Sequence, residues 1–158
     1  MGLSDDGTAP LERPERLAND RFEVPWVFSH KGRYYLLASA GSCCEGALST
    51  YTLYVGRSDA LKGPYLDSQG RDLRYGGGDV LVYRNDAWIG PGHCATITDD
   101  AGVEWLVYHA MPSSSPRTPE GTNRRQGLLD RIVWRDGWPV VNGEDGPSWT
   151  PQPAPTVR

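Results

Sequence analysis

The sequence predicts an all-β fold from its composition, its turn spacing and its lack of a helical repeat. Glycine (19 residues), proline (13), tyrosine (8) and tryptophan (6) are plentiful, whereas phenylalanine and methionine occur only twice each. Aromatic residues favour strands, and frequent glycine and proline favour turns, so this balance suits short strands joined by many turns. No segment carries a sustained apolar period of 3.6 residues. The 158 residues suffice for one modest domain or for part of a larger one.

The first predicted unit, at about residues 22–75, alternates short apolar runs with turns. Before it, residues 1–21 are rich in Asp, Glu, Pro and Arg and lack any period, which indicates an N-terminal arm or linker. The first two runs of the unit form a hairpin. The predicted strands are Val24–Ser29, Arg33–Ala40 and 51–58, with a short fourth strand or edge opening at Gly63-Pro64-Tyr65.

The second predicted unit, at about residues 76–145, repeats this order after three consecutive glycines. Its first segment, 79–84, leads into a turn, and a Pro-rich tail follows the unit. The predicted strands are 94–98, 103–110, 128–135 and 138–141. Two four-stranded antiparallel units at this spacing are typical of propeller blades. Because two blades cannot close a ring and each blade is covered by its neighbours, the pattern predicts a partial β-propeller over residues 22–158.

Charge and hydropathy exclude two classes of function. The formal net charge of -4 leaves no basic surface for nucleic acid, and Arg124-Arg125 is the only tight basic pair. No apolar run approaches the roughly 20 residues that span a bilayer. Residues 1–10 are polar and lack the apolar core of a signal peptide, so the sequence leaves the compartment open.

The three cysteines, Cys43, Cys44 and Cys94, give neither a disulfide framework nor the spacing of a zinc site. Neighbouring cysteines rarely bridge, because the geometry strains the peptide between them. We therefore expect three reduced, partly buried thiols.

A series of short motifs resembles glycoside hydrolase family 43, and within it the arabinan-degrading members. Each motif is weak alone, but they run in family order over about residues 22–155. The motifs are Glu23-Val24-Pro25, Gly32-Arg33-Tyr34-Tyr35-Leu36, Ser42-Cys43-Cys44-Glu45-Gly46, Ser49-Thr50-Tyr51, Val55-Gly56-Arg57-Ser58, Gly63-Pro64-Tyr65, Gly76-Gly77-Gly78, Gly90-Pro91-Gly92-His93, residues 105–110 (WLVYHA) and residues 134–139 (WRDGWP).

This resemblance implies a five-bladed β-propeller of inverting glycosidases that act on arabinofuranosides and xylosides. The chain then corresponds to the last two blades, each of four antiparallel strands. The family's catalytic base, an Asp of the first blade, and a second Asp that tunes the acid have no matching position and are expected upstream of Met1. Family members are often secreted.

Glu23 is the expected general acid, because it matches the family motif at the head of a short apolar strand. Inverting hydrolysis needs one protonated carboxyl for the leaving oxygen and one ionised carboxyl for water. The innermost strands of a propeller point such side chains toward the central cavity. The alternative for a Glu at the start of a strand is an exposed surface residue.

Four further residues are candidates by the same resemblance. His93 matches a histidine on the propeller axis that bears on a bound cation, often calcium, or on its water shell; a structural histidine is the alternative. Arg125 is placed to reach sugar hydroxyls with its planar guanidinium, with Arg124 as the alternative if the match shifts by one residue. Cys44 lies in a loop at the expected pocket rim. His109 ends a strand that faces the cavity, with a core histidine as the alternative.

The sequence thus predicts part of an arabinanase or α-L-arabinofuranosidase that cleaves α-1,5-linked arabinofuranose with inversion and is inactive without an N-terminal half. The expected partners are arabinan or arabino-oligosaccharides, and either a separate N-terminal chain or a second copy. Three alternatives stay open: a non-catalytic carbohydrate-binding or interaction module, an inactive truncated fragment and, within the family, a β-xylosidase.

Overall fold

The computed structural model describes residues 2–157 and contains eight strands in two four-stranded antiparallel sheets. Each sheet has its strands in sequence order, so neighbouring strands are joined by local connections. Two single-turn 3-10 helices, Gly46–Leu48 and Leu73–Tyr75, lie in connections between strands, and a third, Asn142–Glu144, follows the last strand. The first sheet contains β1 (Phe22–His30), β2 (Arg33–Ala40), β3 (Thr52–Ser58) and β4 (Asp79–Val82), and the second contains β5 (Trp88–Thr98), β6 (Glu104–Pro112), β7 (Gln126–Arg135) and β8 (Trp138–Val141).

The predicted all-β class with two four-stranded antiparallel units is confirmed. The predicted strand at Arg33–Ala40 and the last strand, Trp138–Val141, have the predicted bounds. The fourth strand of the first sheet differs, because it is Asp79–Val82 and not the segment after Gly63. In that segment Leu66 forms only isolated bridges, to Arg57 and Asp72. The buried carboxylate of Asp67 accepts hydrogen bonds from the backbone of Gln69, Arg71 and Gly78, which folds the segment into a loop instead of a strand.

The main core lies between the two sheets, where alternate residues of facing strands pack together. Its buried members come from β2 to β8 and are Tyr35, Leu37, Leu53, Val55, Leu81, Val82, Cys94, Leu106, Tyr108, Ile132 and Val141. A smaller cluster of Leu36, Tyr65 and Leu73 lies on the opposite face of the first sheet, where Leu17 and Ala18 of the N-terminal arm pack against it. The arm is therefore partly attached to the first sheet and is not a free linker.

A polar cluster joins the two sheets at the end of the hairpin formed by β1 and β2. His30 stacks on Trp134 with ring centroids 3.7 Å apart, and its Nδ1 lies 2.9 Å from a carboxylate oxygen of Glu104. The indole N–H of Trp134 donates to the same carboxylate. The hydroxyl of Tyr35 donates to the carbonyl of Gly137 at 2.8 Å. The side chain of His30 is therefore only 15% exposed, although the residue borders a hairpin turn.

The C-terminal tail returns to the second sheet through Asp99, whose carboxylate accepts the backbone N–H of Thr156 at 3.0 Å and the indole N–H of Trp105 at 3.1 Å. A membrane-spanning helix, with the necessary length and apolar character, is not found within residues 2–157.

Candidate active site

Glu23 lies at the start of β1, opposite Ser39 of β2, and its side chain is exposed. The pairing register shifts between Glu23 and Trp26, so the chain bulges immediately after the candidate acid. Within the bulge Val24 has a φ of 51°, a left-handed conformation that a β-branched residue rarely adopts. Such strain costs about 1–3 kcal/mol and persists where the surrounding fold determines it, often at functional sites.

The bulge separates two open grooves. Glu23 and Pro25 line a groove of about 340 Å³ whose other walls include Leu17, Phe22 and Leu36. The second groove, of about 560 Å³, runs from Val24, Pro25 and Trp26 to the strands of the second sheet and is lined there by His93, Ala95, Val107 and His109. The candidate acid thus lines the groove formed by the arm and the first sheet, and the residues directly after it line the groove between the two sheets.

His93 lies at a backbone excursion of β5, directly after Gly90-Pro91-Gly92. Gly90 and His93 have φ values of 64° and 53°, and the pairing of β5 with β6 shifts on either side of Gly92. The backbone N–H of His93 donates to the hydroxyl of Ser39 at 2.9 Å, which ties the excursion of β5 to the first sheet. The imidazole of His93 remains exposed toward the groove.

His109 is half-buried on β6 and is a neutral ring at neutral pH. Burial lowers the pKa of His109 to about 4, and the positive charges of Arg125 and His93 add to this effect. Its ring is parallel to that of Tyr51, with an interplanar angle of 13° and centroids 5.9 Å apart. Its Nδ1 is buried without a hydrogen-bond partner. An unpartnered nitrogen on the wall of a groove can bind a polar group of a ligand.

Arg125 spans from β7 to the loop that follows β2. Its Nη2 donates to the carbonyl of Cys43 at 3.3 Å and lies 3.1 Å from Sγ of Cys44. Arg125 is exposed, whereas Arg124 is half-buried in its own loop and binds the carbonyl of Arg117. Arg125 and not Arg124 is therefore the arginine whose charge acts on the Tyr51–His109 pair.

Cys43 and Cys44 form a disulfide, so the expectation that both are reduced thiols was wrong. The two Cα atoms are 3.8 Å apart, and the tight loop from Gly41 to Ser49 brings both sulfur atoms to the same side of the chain. The third cysteine, Cys94, is a buried free thiol as expected, and burial raises its pKa to about 12.

Tyr51 is the site residue that sequence reasoning missed. It is 2% exposed, and its phenol interacts with the side chains of Ser39 and Glu23. Burial raises the pKa of Tyr51 to about 12; Ser39 opposes this increase and the negative charge of Glu23 adds to it. The sequence did contain a signal for Tyr51, because this residue ends the motif Ser49-Thr50-Tyr51. That motif indicated only a resemblance to the arabinan-degrading members and no role for Tyr51 itself.

The structure thus places all five predicted site residues in or around the Tyr51–His109 pair. Glu23 and His93 lie on one side of this pair, and Arg125 and Cys44 lie on the other. Within the described part of the chain, residues 2–157, there is no group of three or more His, Cys, Asp or Glu side chains that could hold a metal ion. Imidazoles without a carboxylate are a poor donor set for calcium. The assignment of calcium to His93 stays a prediction.

Known proteins resemble this chain along most of its length. The exo-α-(1→5)-L-arabinofuranosidase ArbA of Cellvibrio japonicus, described as extracellular, is 35% identical over 95% of this chain and 46% of its own length. An extracellular endo-α-(1→5)-L-arabinanase of Bacillus subtilis is 37% identical over 74% of this chain and 33% of its own length. The chain therefore spans no more than about half of these relatives.

The fold agrees with these relatives. The structure of an α-L-arabinanase of Cellvibrio cellulosa in complex with arabinohexaose superimposes with a TM-score of 0.80 at 34% identity. The superposition covers 90% of this chain and 49% of the arabinanase. The sequence profile described as glycosyl hydrolases family 43 matches residues 3–139. The chain therefore belongs to glycosyl hydrolase family 43, and the resemblance first indicated by its motifs is confirmed.

Proposed function

We propose that this chain carries the proton-donating part of an inverting hydrolase that cleaves α-1,5-linked L-arabinofuranosyl residues of arabinan, with Glu23 as general acid. The observation that carries the proposal is the placement of Glu23 at a strained bulge, between two grooves and beside the buried Tyr51. Family membership and the arabinan-degrading relatives support the substrate class. A β-xyloside is the alternative substrate within the family.

In this reaction the protonated carboxyl of Glu23 transfers its proton to the leaving glycosidic oxygen as the bond to the anomeric carbon breaks. A carboxylate on the opposite side of the sugar, roughly 6.5–9.5 Å away, takes a proton from the attacking water. We assign that base to an Asp outside this chain. The two sheets then form the last two blades of a five-bladed propeller, and the other blades supply the base. The match to about half of a full-length arabinanase supports this division.

Three other residues are proposed to bind the sugar. The guanidinium of Arg125 is a planar donor suited to vicinal hydroxyls, and its bond to Cys43 fixes it next to the loop. Cys44 is exposed beside it and offers a sulfur surface to the sugar ring. The neutral ring of His109 offers its unpartnered Nδ1 to a hydroxyl. Calcium, if present near His93, would take this imidazole as one ligand among waters, and no step depends on it.

The partner required for turnover is the complementary N-terminal half of the propeller, either as a separate chain or as a covalent neighbour; self-association of this chain would bring no base. The two relatives described as extracellular favour a place of action outside the cell.

The test measures arabinose and arabino-oligosaccharides released from debranched arabinan. Three preparations are compared: the chain alone, a recombinant three-blade N-terminal half alone, and their mixture. The chain alone and the mixture are repeated with Glu23→Gln and with Glu45→Gln, a matched loss of charge at an exposed carboxylate of the neighbouring loop. We expect activity only in the mixture, its loss by at least about 100-fold in Glu23→Gln, and little change in Glu45→Gln.

Activity that survives Glu23→Gln would refute the assignment of the acid. A folded mixture that binds arabinohexaose without cleaving it would instead favour the carbohydrate-binding module. Proton NMR of the first product gives the anomer, and retention of configuration would exclude an inverting reaction.

A further inference from the structure

We propose that Tyr51 is a positioning residue for Glu23, holding the carboxyl of the acid in the orientation that delivers its proton. The catalytic part of this inference rests on the proposed function, whereas the contact itself does not. Tyr51 lies immediately before β3. This strand pairs with β2, which in turn pairs with β1. Its role follows from how its ring is held and from the polarity of the hydrogen bonds at its hydroxyl.

The ring of Tyr51 is held by two strands of the second sheet, β5 and β6. Gly92 of β5 lies so close that a Cβ atom built there would be 2.3 Å from the ring carbon Cε1. The ring therefore occupies the space that a side chain at Gly92 would need. The imidazole of His109 lies parallel to it, on the strand that pairs with β5. A ring enclosed in this way has one available position, so its hydroxyl is a fixed group.

The ring of Tyr51 and Oγ of Ser39 both lie next to Gly92, and Ser39 is the cross-strand partner of Glu23, so these polar groups form one cluster. The backbone N–H of His93 donates to Oγ of Ser39 at 2.9 Å. Because that oxygen accepts from His93, the hydroxyl hydrogen of Ser39 is available to donate to the phenolic oxygen. Glu23 is the cross-strand partner of Ser39, so the two side chains lie on the same face of the sheet. In the proposed arrangement the phenolic O–H donates to the carboxyl of Glu23, whose charge acts on the pKa of Tyr51. The direction of donation thus runs from β5 through Ser39 and Tyr51 to the acid.

The electrostatics agree with this direction. Burial raises the pKa of Tyr51 to about 12, so the phenol keeps its proton at any pH at which the enzyme would work. Ser39 acts against this rise, as a donor to the phenolic oxygen does, and Glu23 adds to it, as an acceptor does. His109 is neutral and places no charge beside the phenol at neutral pH.

The consequence for catalysis is a choice between the two carboxyl oxygens of Glu23. The oxygen that accepts from Tyr51 serves as the carbonyl oxygen, so the transferable proton resides on the other one. A fixed side-chain orientation then keeps that proton aimed at the leaving oxygen of the sugar. Losing the contact would leave the sugar bound but the proton poorly placed, since positioning contributes to the rate of proton transfer.

The first experiment compares Tyr51→Phe with Tyr35→Phe in the mixture with the N-terminal half. Both changes remove one hydroxyl from a buried tyrosine, and that of Tyr35 bonds to Gly137 far from the site. On arabinotriose we expect Tyr51→Phe to lower kcat by about 10- to 100-fold with KM within about 3-fold of wild type. On 4-nitrophenyl α-L-arabinofuranoside the loss should be smaller, because a nitrophenolate leaves with little help from an acid. Equal losses on both substrates would overturn the positioning role.

The second experiment does not need turnover. Tyrosine labelled with ¹³C at Cζ reports ionisation by NMR, and the Tyr51 signal is identified by its absence in Tyr51→Phe. Replacing Glu23 with Gln should lower the pKa of Tyr51 from its value of about 12, whereas Glu45→Gln should leave it unchanged. A Tyr51 titration that is the same in wild type and Glu23→Gln would overturn the contact. If the wild-type mixture shows no turnover, the proposed function fails and this comparison alone decides for Tyr51.

Discussion

Replacing Gly92 with alanine provides a direct test of how the two sheets meet at the candidate site. A Cβ atom at this position would lie 2.3 and 2.4 Å from two carbons of the Tyr51 ring and 3.0 Å from Oγ of Ser39. Carbon atoms in contact are normally about 3.5–4.0 Å apart. The ring must therefore move by more than about 1 Å, and His109 and the first sheet leave no space for the movement.

The expected cost follows from overpacking a buried contact, which typically destabilises a protein by about 1–3 kcal/mol. For a chain of this size each kcal/mol lowers Tm by about 2–4 °C. Gly92→Ala should thus lower Tm by about 2–12 °C. The matched control is Gly127→Ala on β7 of the same sheet, where a Cβ would meet no atom within 4 Å. The control should lie within about 0.5 kcal/mol of wild type.

The assay is thermal unfolding followed by far-ultraviolet circular dichroism, with the near-ultraviolet signal of tyrosine recorded in the folded state. Gly92→Ala should lower Tm and change the near-ultraviolet signal, whereas Gly127→Ala should do neither. Equal Tm values for the two variants would refute the close packing of Tyr51 on β5. The inference that β5 holds the ring would then fail with it.

Three further outcomes are expected. The pKa of His109 falls from 6.5 in the unfolded chain to about 4 in the fold, so unfolding takes up a proton between these pH values. The free energy of unfolding, measured in urea, should therefore fall as the pH drops through that window, by on the order of 1 kcal/mol after solvent screening. The decrease should be smaller in His109→Gln. Tyr108→Phe removes the 2.5 Å bond to the buried carboxylate of Asp130 and should lower stability by about 1–3 kcal/mol; no change in the urea midpoint would contradict this. Glu104→Ala removes the acceptor of the Trp134 indole and should shift tryptophan fluorescence, and Glu104→Gln, which keeps an acceptor oxygen, should restore most of the signal.

The strands were predictable where the pattern was local. Arg33–Ala40 is a continuous run of strand formers after a turn, and its bounds match the structure. The fourth strand of the first sheet was not predictable, because Asp79–Val82 is only four residues long and pairs with β3 across a long loop. The loop owes its shape to the carboxylate of Asp67, and a network of bonds to backbone groups leaves no periodic signal in a sequence.

The candidate site was predictable in its polar residues and not in its packing. Glu23 and His93 stand in motifs, so their positions could be inferred from order along the chain. Tyr51 gains its importance from Gly92 on the other sheet, and a contact between residues so distant in sequence cannot be read from either position. The Cys43–Cys44 bond was missed because general strain arguments disfavour it, whereas the local loop places the two sulfur atoms together.

The His30–Glu104–Trp134 cluster joins the two sheets at one end of β2, and the proposed acid Glu23 pairs with Ser39 near the other end. β2 runs through eight residues from the hairpin turn to the site, which corresponds to a strand length of about 26 Å. A tilt of about 3° between the sheets at this cluster would displace the other end of β2, next to Glu23, by about 1.4 Å. A displacement of about 1 Å can cost about 100-fold in rate. Under the proposed function, a substitution of His30 or Glu104 would therefore change the rate without any contact with the sugar.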